Sequence, residues 1–389
     1  MNVQVQPALL KWARERASMS TAELAQFVGT KNSPAPLEEW ESAPGPVTIS
    51  SKTLEKLAVK TRAPYGMLFL SSPPDEHLPI RDFRRTSKEG RSRPSLELIE
   101  TIEDYQIRQS WYSEVLQEEG ADPIEFIGSA SLADNPDSLA QNISNSLRIG
   151  TEERRRLSAN EDVALWLIKR LDESGVTVVR KGYSGSATKR TLKKEEFKGF
   201  ALADRFAPFI FVNGTDWPAS QVFTIVHECV HLWLGESAIP AGDWFDGADL
   251  PVERFCNRVA AQVLMPASEV DRLWVPSLSV KKNLEVLSQH FRVSSLALLY
   301  RAVERNLISD AQFQSALQTS NSEFRLASKA KSESSGGSFY NNVGVHLGKR
   351  FVQEVLTRTL GGKTLYTEAF SLLGTRKTSV IHTMADKFL

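Results

Sequence analysis

The sequence predicts a mainly α protein with a small β-sheet, an α+β fold in which a helical N-terminal domain, a central α+β domain and a helical C-terminal unit follow one another. Three observations predict it. Residues 7–70 read as a succession of short helices. Two runs, Val176–Val179 and Phe209–Val212, are β-branched or aromatic and are bounded by Gly and Asn. A helical period runs from Pro218 to about Leu317 and resumes near the C-terminus. The resulting divisions are 1–72, a linker and basic arm at 73–94, 95–317, a flexible linker at 318–342, and 343–389.

In the first division the expected helices are Pro7–Ala17, Thr21–Val28, Leu37–Ser42, Ser51–Thr61 and Pro64–Leu70. Ser20 or Thr21 caps the second, and Gly29 ends it. Leu9, Leu10, Ala13, Leu24, Phe27, Trp40, Leu54, Leu57 and Leu68 suit a compact all-helical bundle. Pro73, Pro74 and Pro79 break the pattern, and RDFRRTSKEGRSR (Arg81–Arg93) follows as an unperiodic basic stretch, read as a linker or surface arm. The period restarts over 95–118 through Leu98, Ile102, Tyr105, Tyr112 and Val115, with further helices at 135–147 and 159–173. SKAKSESSGGSFYNN (Ser328–Asn342) has the composition of a mobile loop or linker.

Composition narrows the function. No run approaches 18 apolar residues, and MNVQVQPALLKWARERA lacks the apolar core and cleavage site of a signal peptide. Two cysteines cannot build a disulfide framework. A soluble cytoplasmic protein without a membrane partner is therefore expected. Lys+Arg and Asp+Glu both number 47, but this neutrality is a cancellation of blocks. Residues 199–270 carry three bases against nine acids, 180–198 seven against two, and 346–389 seven against three.

The strongest chemical signal is His227-Glu228-Cys229-Val230-His231, an HExxH motif. Residues four apart share one helix face, so both imidazoles reach one zinc, and Glu228 lies beside them as the candidate general base. The flanking Val222, Phe223, Val226, Val230, Leu232 and Trp233 make this helix apolar nearly all round, so it is expected to be buried. A catalytic zinc takes a third protein ligand. Glu253 opens VERFCNRVAAQVLMP, where Glu253, Cys256 or Asn257, Ala260 and Leu264 share a face; the alternative for Glu253 is a solvated first-turn carboxylate. Asp243, Asp246 and Asp249 compete for the third position. Cys256 and Asn257 are candidate supports behind the ligands, while Cys229 and Cys256 also read as small core residues. His77, His290, His346 and His382 lack ligand spacing and read as surface or core histidines.

These residues resemble the ImmA/IrrE family of zinc metallo-endopeptidases. KGFALADRFAPFIFVNGTDWPASQVFTIVHECVHLWLG is similar to that family's strand, its Asn-ended turn (Asn213) and its metal helix, and VERFCNRVAAQVLMP is similar to the second helix. The resemblance implies a zincin-like metallopeptidase domain with a helical extension over 95–317, Zn2+ as cofactor, and Glu253 as third ligand beside His227 and His231. The front half resembles long members carrying an Xre-type helix-turn-helix, here 1–72, with STAELAQFVG and LEEWESA as its second and third helices. PYGMLFLSSPP and LPIRDFRR resemble the connector, and FYNNVGVHLGKRF and TLYTEAFSLLGTRK the C-terminal unit.

The resemblance implies regulatory work on a protein partner, a repressor or a toxin, in stress response, phage defence or a toxin–antitoxin pair with a PIN-like ribonuclease. Where DNA would be read, the sequence departs from the Xre pattern. Thr30–Glu39 holds two prolines and two carboxylates, and carboxylates are repelled by phosphate. Lys31, Asn32, Arg376 and Lys377 are the candidate contacts to DNA or a partner; otherwise the N-terminal helices read as a docking or homodimerisation module.

Overall fold

A computed structural model describes residues 1–29, 33–75, 78–82, 86–87, 90–91, 94–157, 159–186, 188–240, 250–318 and 339–389. The protein is mainly helical with a small mixed β-sheet. It divides into two compact units, Met1–Pro79 with Arg93–Glu100, and Ile80–Ser92 with Thr101–Leu389.

The first unit is built on helices Pro7–Arg16, Thr21–Val28, Leu37–Ser42 and Ser51–Thr61, and a 3-10 turn at Tyr65–Phe69. Ser20 and Glu23 form a full capping box: the Glu23 N–H donates to Ser20 Oγ, and the Ser20 N–H donates to Glu23 Oε2. Arg14 donates to both Glu41 carboxylate oxygens at 2.7 Å, tying the first helix to the third. The expectation of an all-helical bundle is corrected. Asn2–Val5 pairs antiparallel with Val47–Ser50, from Asn2 opposite Ser50 to Val5 opposite Val47. Val5 and Ile49 enter the same core as Leu9, Leu24, Leu54 and Leu57. The period of two is present in both segments but spans only four residues each, too short to stand out beside helical runs.

The second unit centres on a five-stranded sheet ordered Arg81–Asp82, Ala238–Ile239, Gly199–Leu202, Phe209–Asn213, Thr177–Lys181. Both outer pairs are parallel, and the two inner pairings are antiparallel. The candidate strands at 176–179 and 209–212 are present as Thr177–Lys181 and Phe209–Asn213. The other three strands had no sequence prediction. Arg81–Asp82 lies in the stretch read as a linker or arm, and Arg81 also pairs with Glu236 at 2.7 Å.

The helix Pro218–Leu234 lies against this sheet and packs on Asn160–Glu173 and Pro251–Leu264. Every residue from Gln221 to Trp233 is buried. Seven of them are large and apolar, Val222, Phe223, Ile225, Val226, Val230, Leu232 and Trp233, which at about 1.5–3 kcal/mol each is on the order of 10–20 kcal/mol of gross burial. That gain offsets the cost of burying the polar groups the same helix carries. The C-terminal helices Phe339–Leu347, Lys349–Leu360, Tyr366–Leu373 and Thr378–Phe388 belong to this unit as well. Phe351 anchors them, meeting Trp111, Tyr112 and Phe209 edge-to-face.

Candidate metal centre

Pro218 at the first position and Gly235 in the left-handed conformation (φ 71°) set the limits of the HExxH helix. The Glu236 N–H closes its last turn on the His231 carbonyl. A preceding loop finishes the end: the Gly128 N–H donates to Leu232 O, the Ala130 N–H donates to Trp233 O, and Phe126 stacks on Trp233 at 4.0 Å. A side chain at Gly235 would run into Gly128, so this docking requires glycine. The helix holding Glu253, Pro251–Leu264, is fixed at its far end by two buried arginines. Arg154 donates to Leu264 O at 2.8 Å, and Arg301 donates to Met265 O at 3.1 Å.

These supports bring His227, His231 and Glu253 together. The two Nε2 atoms are 3.1 Å apart, Glu253 Oε2 is 3.5 Å from His227 Nε2, and Glu253 Oε1 is 3.3 Å from His231 Nε2. Three ligand atoms about 2.0–2.1 Å from one zinc at tetrahedral angles stand about 3.4 Å from one another. The observed separations are of that size, with each Glu253 oxygen facing one imidazole, and one ligand atom from each residue lies within 4.8 Å of the other two, so the donor set can gather around such an ion. All three residues are 0–1% exposed, and they form a His-His-Glu cluster able to hold a metal.

The electrostatics agree with the geometry. Burial lowers the pKa of His227, leaving a neutral imidazole with a lone pair to offer. Burial alone would raise Glu253, but the two imidazoles beside it outweigh burial and hold the carboxyl at about 2. Burial, then the Glu253 charge, raises Glu228 well above the usual carboxyl range. Both Glu228 oxygens are buried without a hydrogen-bond partner among the described residues, a costly arrangement that a nearby cation or water would relieve.

Cys256 Sγ lies 3.8 Å from His231 Nδ1, and Asn257 lies close enough to His227 to raise its pKa against the lowering by burial. Cys229 is a buried core residue whose thiol burial raises to a pKa above the ordinary range, so it holds its proton. Glu253 is buried rather than a solvated first-turn carboxylate. His290 pairs with Glu269 at 2.8 Å, away from the triad. Lys31, Asn32, His77, Asp243, Asp246 and Asp249 lie outside the described residues. Arg376 and Lys377 are exposed in the connection between Tyr366–Leu373 and Thr378–Phe388 and are not part of the cluster.

Sequence reasoning missed Gly199, Arg154 and the 126–130 loop. Gly199 is the one with direct bearing on the site, because a Cβ there would meet Thr224 and Phe211 O at 2.7 Å and Glu228 Oε1 at 3.0 Å. Its signal was a glycine opening a run of buried residues, GFAL, where only a close approach explains it.

A family model described as the IrrE N-terminal-like domain matches residues 171–303, the stretch that contains the triad. That part of the chain is a domain related to the IrrE/ImmA peptidases. The chain is 34% identical over 101 residues to the radiation response metalloprotease IrrE of Deinococcus deserti, an alignment covering 25% of this chain and 36% of that protein. The chain thus spans about a third of the length of this curated relative. Residues 347–387 match a domain of unknown function (DUF8813). Among the described residues no helix is long and apolar enough to cross a membrane.

Proposed function

We propose that the protein is a zinc-dependent endopeptidase-like regulator acting on a protein partner, a repressor or a toxin, in stress response, phage defence or a toxin–antitoxin pair. The observation that carries this reading is the His227–His231–Glu253 triangle with the Glu228 carboxyl buried beside it. Zinc held by the three residues would supply Lewis acidity and lower the pKa of water there. His227 presents a neutral nitrogen, His231 offers the second imidazole, and Glu253 contributes the negative charge of the donor set. Glu228 takes a proton from the attacking water and delivers it to the nitrogen of the leaving amine; its raised pKa makes it a stronger base than an exposed carboxylate. Gly199 leaves the space in which that carboxyl sits. The name of the relative, a radiation response metalloprotease, supports both the reaction class and a stress-response setting.

One observation favours a second reading. The triad is buried to within 1%, as in a metal site that braces a fold. In that reading the protein is a non-proteolytic antitoxin or transcriptional regulator that neutralises a partner such as a PIN-like ribonuclease and represses its own gene through the N-terminal unit.

Zinc content measured by plasma mass spectrometry tests the ligand assignment. The wild type and Glu228→Gln should hold about one zinc per chain, while His227→Ala and Glu253→Ala should hold almost none. Full zinc in the two ligand variants would contradict the site.

A further inference from the structure

We propose that the cavity between the end of strand Thr177–Lys181 and the C-terminal helices binds a small phosphorylated molecule of nucleotide size. The cavity measures about 490 Å³, within the range of small-molecule sites. It is where the two basic blocks of the sequence converge. Lys181 comes from 180–198, Arg376 comes from 346–389, and Arg108 joins them from the helix Leu96–Glu118.

Two of these cations are buried, Arg108 at 6% and Lys181 at 9% exposure. Both are fixed by backbone carbonyls. Arg108 donates to Leu372 O at 2.9 Å and to Asp104 O at 2.6 Å, and Lys181 Nζ donates to Gly185 O at 2.5 Å. Asp104, 3.6 Å from Arg108, is the sole carboxylate among the described lining residues, and its side chain is 42% exposed. Positive charge therefore exceeds negative charge in a partly desolvated site, an arrangement that costs free energy until an anion enters. The field is visible at His346, where burial, then Lys181 and Arg180, hold the imidazole at about 4. Burial, then Arg108, lowers Lys181 to about 8, so it stays largely protonated near neutral pH.

The remaining walls sort by chemistry. Ser186, Thr188 and Thr375 offer hydroxyls beside the cations, as a phosphate requires. Val343, Leu347 and Phe370 form an apolar wall that inorganic phosphate alone would leave uncovered, and that a base or other ring would cover. A pocket of this size, rather than a track along the surface, suits a small molecule and not a polynucleotide.

Calorimetric titration of the full chain with AMP, ATP and inorganic phosphate tests the proposal. AMP or ATP should bind saturably with Kd below about 1 mM, and more tightly than phosphate. Arg376→Glu, at an exposed position, and Lys181→Met should each weaken binding about tenfold or more. If Lys181→Met does not fold, as circular dichroism will show, Arg376→Glu carries the test. Absence of saturable nucleotide binding, affinity unchanged in Arg376→Glu, or phosphate binding as tightly as AMP overturns the assignment. A single-stranded oligonucleotide that binds where mononucleotides do not overturns it as well.

Discussion

Gly199 and Glu228 meet where the strand Gly199–Leu202 passes the HExxH helix, so closely that a Cβ on Gly199 would sit 3.0 Å from Glu228 Oε1. The same Cβ would press on Phe211 O and the Thr224 methyl at 2.7 Å, neither of which yields easily. Gly199→Ala should therefore destabilise the fold by about 1–3 kcal/mol and displace Glu228. Thermal melts beside a cleavage assay check this. Wild-type stability and activity in the variant would show that the space is not needed.

Arg154 caps the Glu253 helix from a fully buried position, donating to Leu264 O and more weakly to Val263 O. Arg154→Ala leaves those carbonyls uncapped and opens a cavity. We expect a loss of about 3 kcal/mol or more in urea denaturation, along with weaker metal retention because Glu253 rides on that helix.

Cys256 touches His231 on the ring edge away from the triad. Cys256→Ala keeps the fold, since the side chain it removes is small and Ala260 follows one turn on along the same helix face, but frees the imidazole to rotate. Zinc competition with a chromophoric chelator should show affinity reduced by about tenfold. An unchanged affinity would leave Cys256 as a packing residue alone.

His346 gives a pH dependence with a definite sign. Its folded pKa, about 4, lies below the ordinary 6.5, so the unfolded chain binds more protons between these values. The stability associated with the neutral imidazole is fully present above 6.5 and is lost as the pH falls toward 4. Urea midpoints should fall further from pH 7.5 to 5 for the wild type than for His346→Gln. Equal falls would contradict the burial of this ring among Lys181, Arg180 and Tyr183.

What the sequence disclosed and what it hid have physical reasons. The HExxH helix announced itself through histidines four apart on an apolar helix, and Glu253 through its place at the start of an amphipathic one. The helices at 135–147 and 159–173 were visible because each runs for three turns. Ala238–Ile239 and Arg81–Asp82 are two residues long and have no period to read; they exist as strands only because neighbours offer free edges. The cation cavity was hidden differently. Lys181 and His346 are 165 positions apart, and only the packing of Phe339–Leu347 on strand Thr177–Lys181 joins them. The charge blocks recorded both halves without indicating that they meet.

The claim that Glu228 performs peptide hydrolysis beside a His227–His231–Glu253 metal site is tested most directly by the fate of the partner protein. The chain would be co-expressed with the product of the neighbouring gene, as wild type and as Glu228→Gln, and the partner's mass measured. The account predicts discrete fragments with the wild type and an intact partner with the variant. Fragments at equal rates from both would contradict the role of Glu228, and an intact partner held in a stable complex by both would replace the peptidase with the binding regulator.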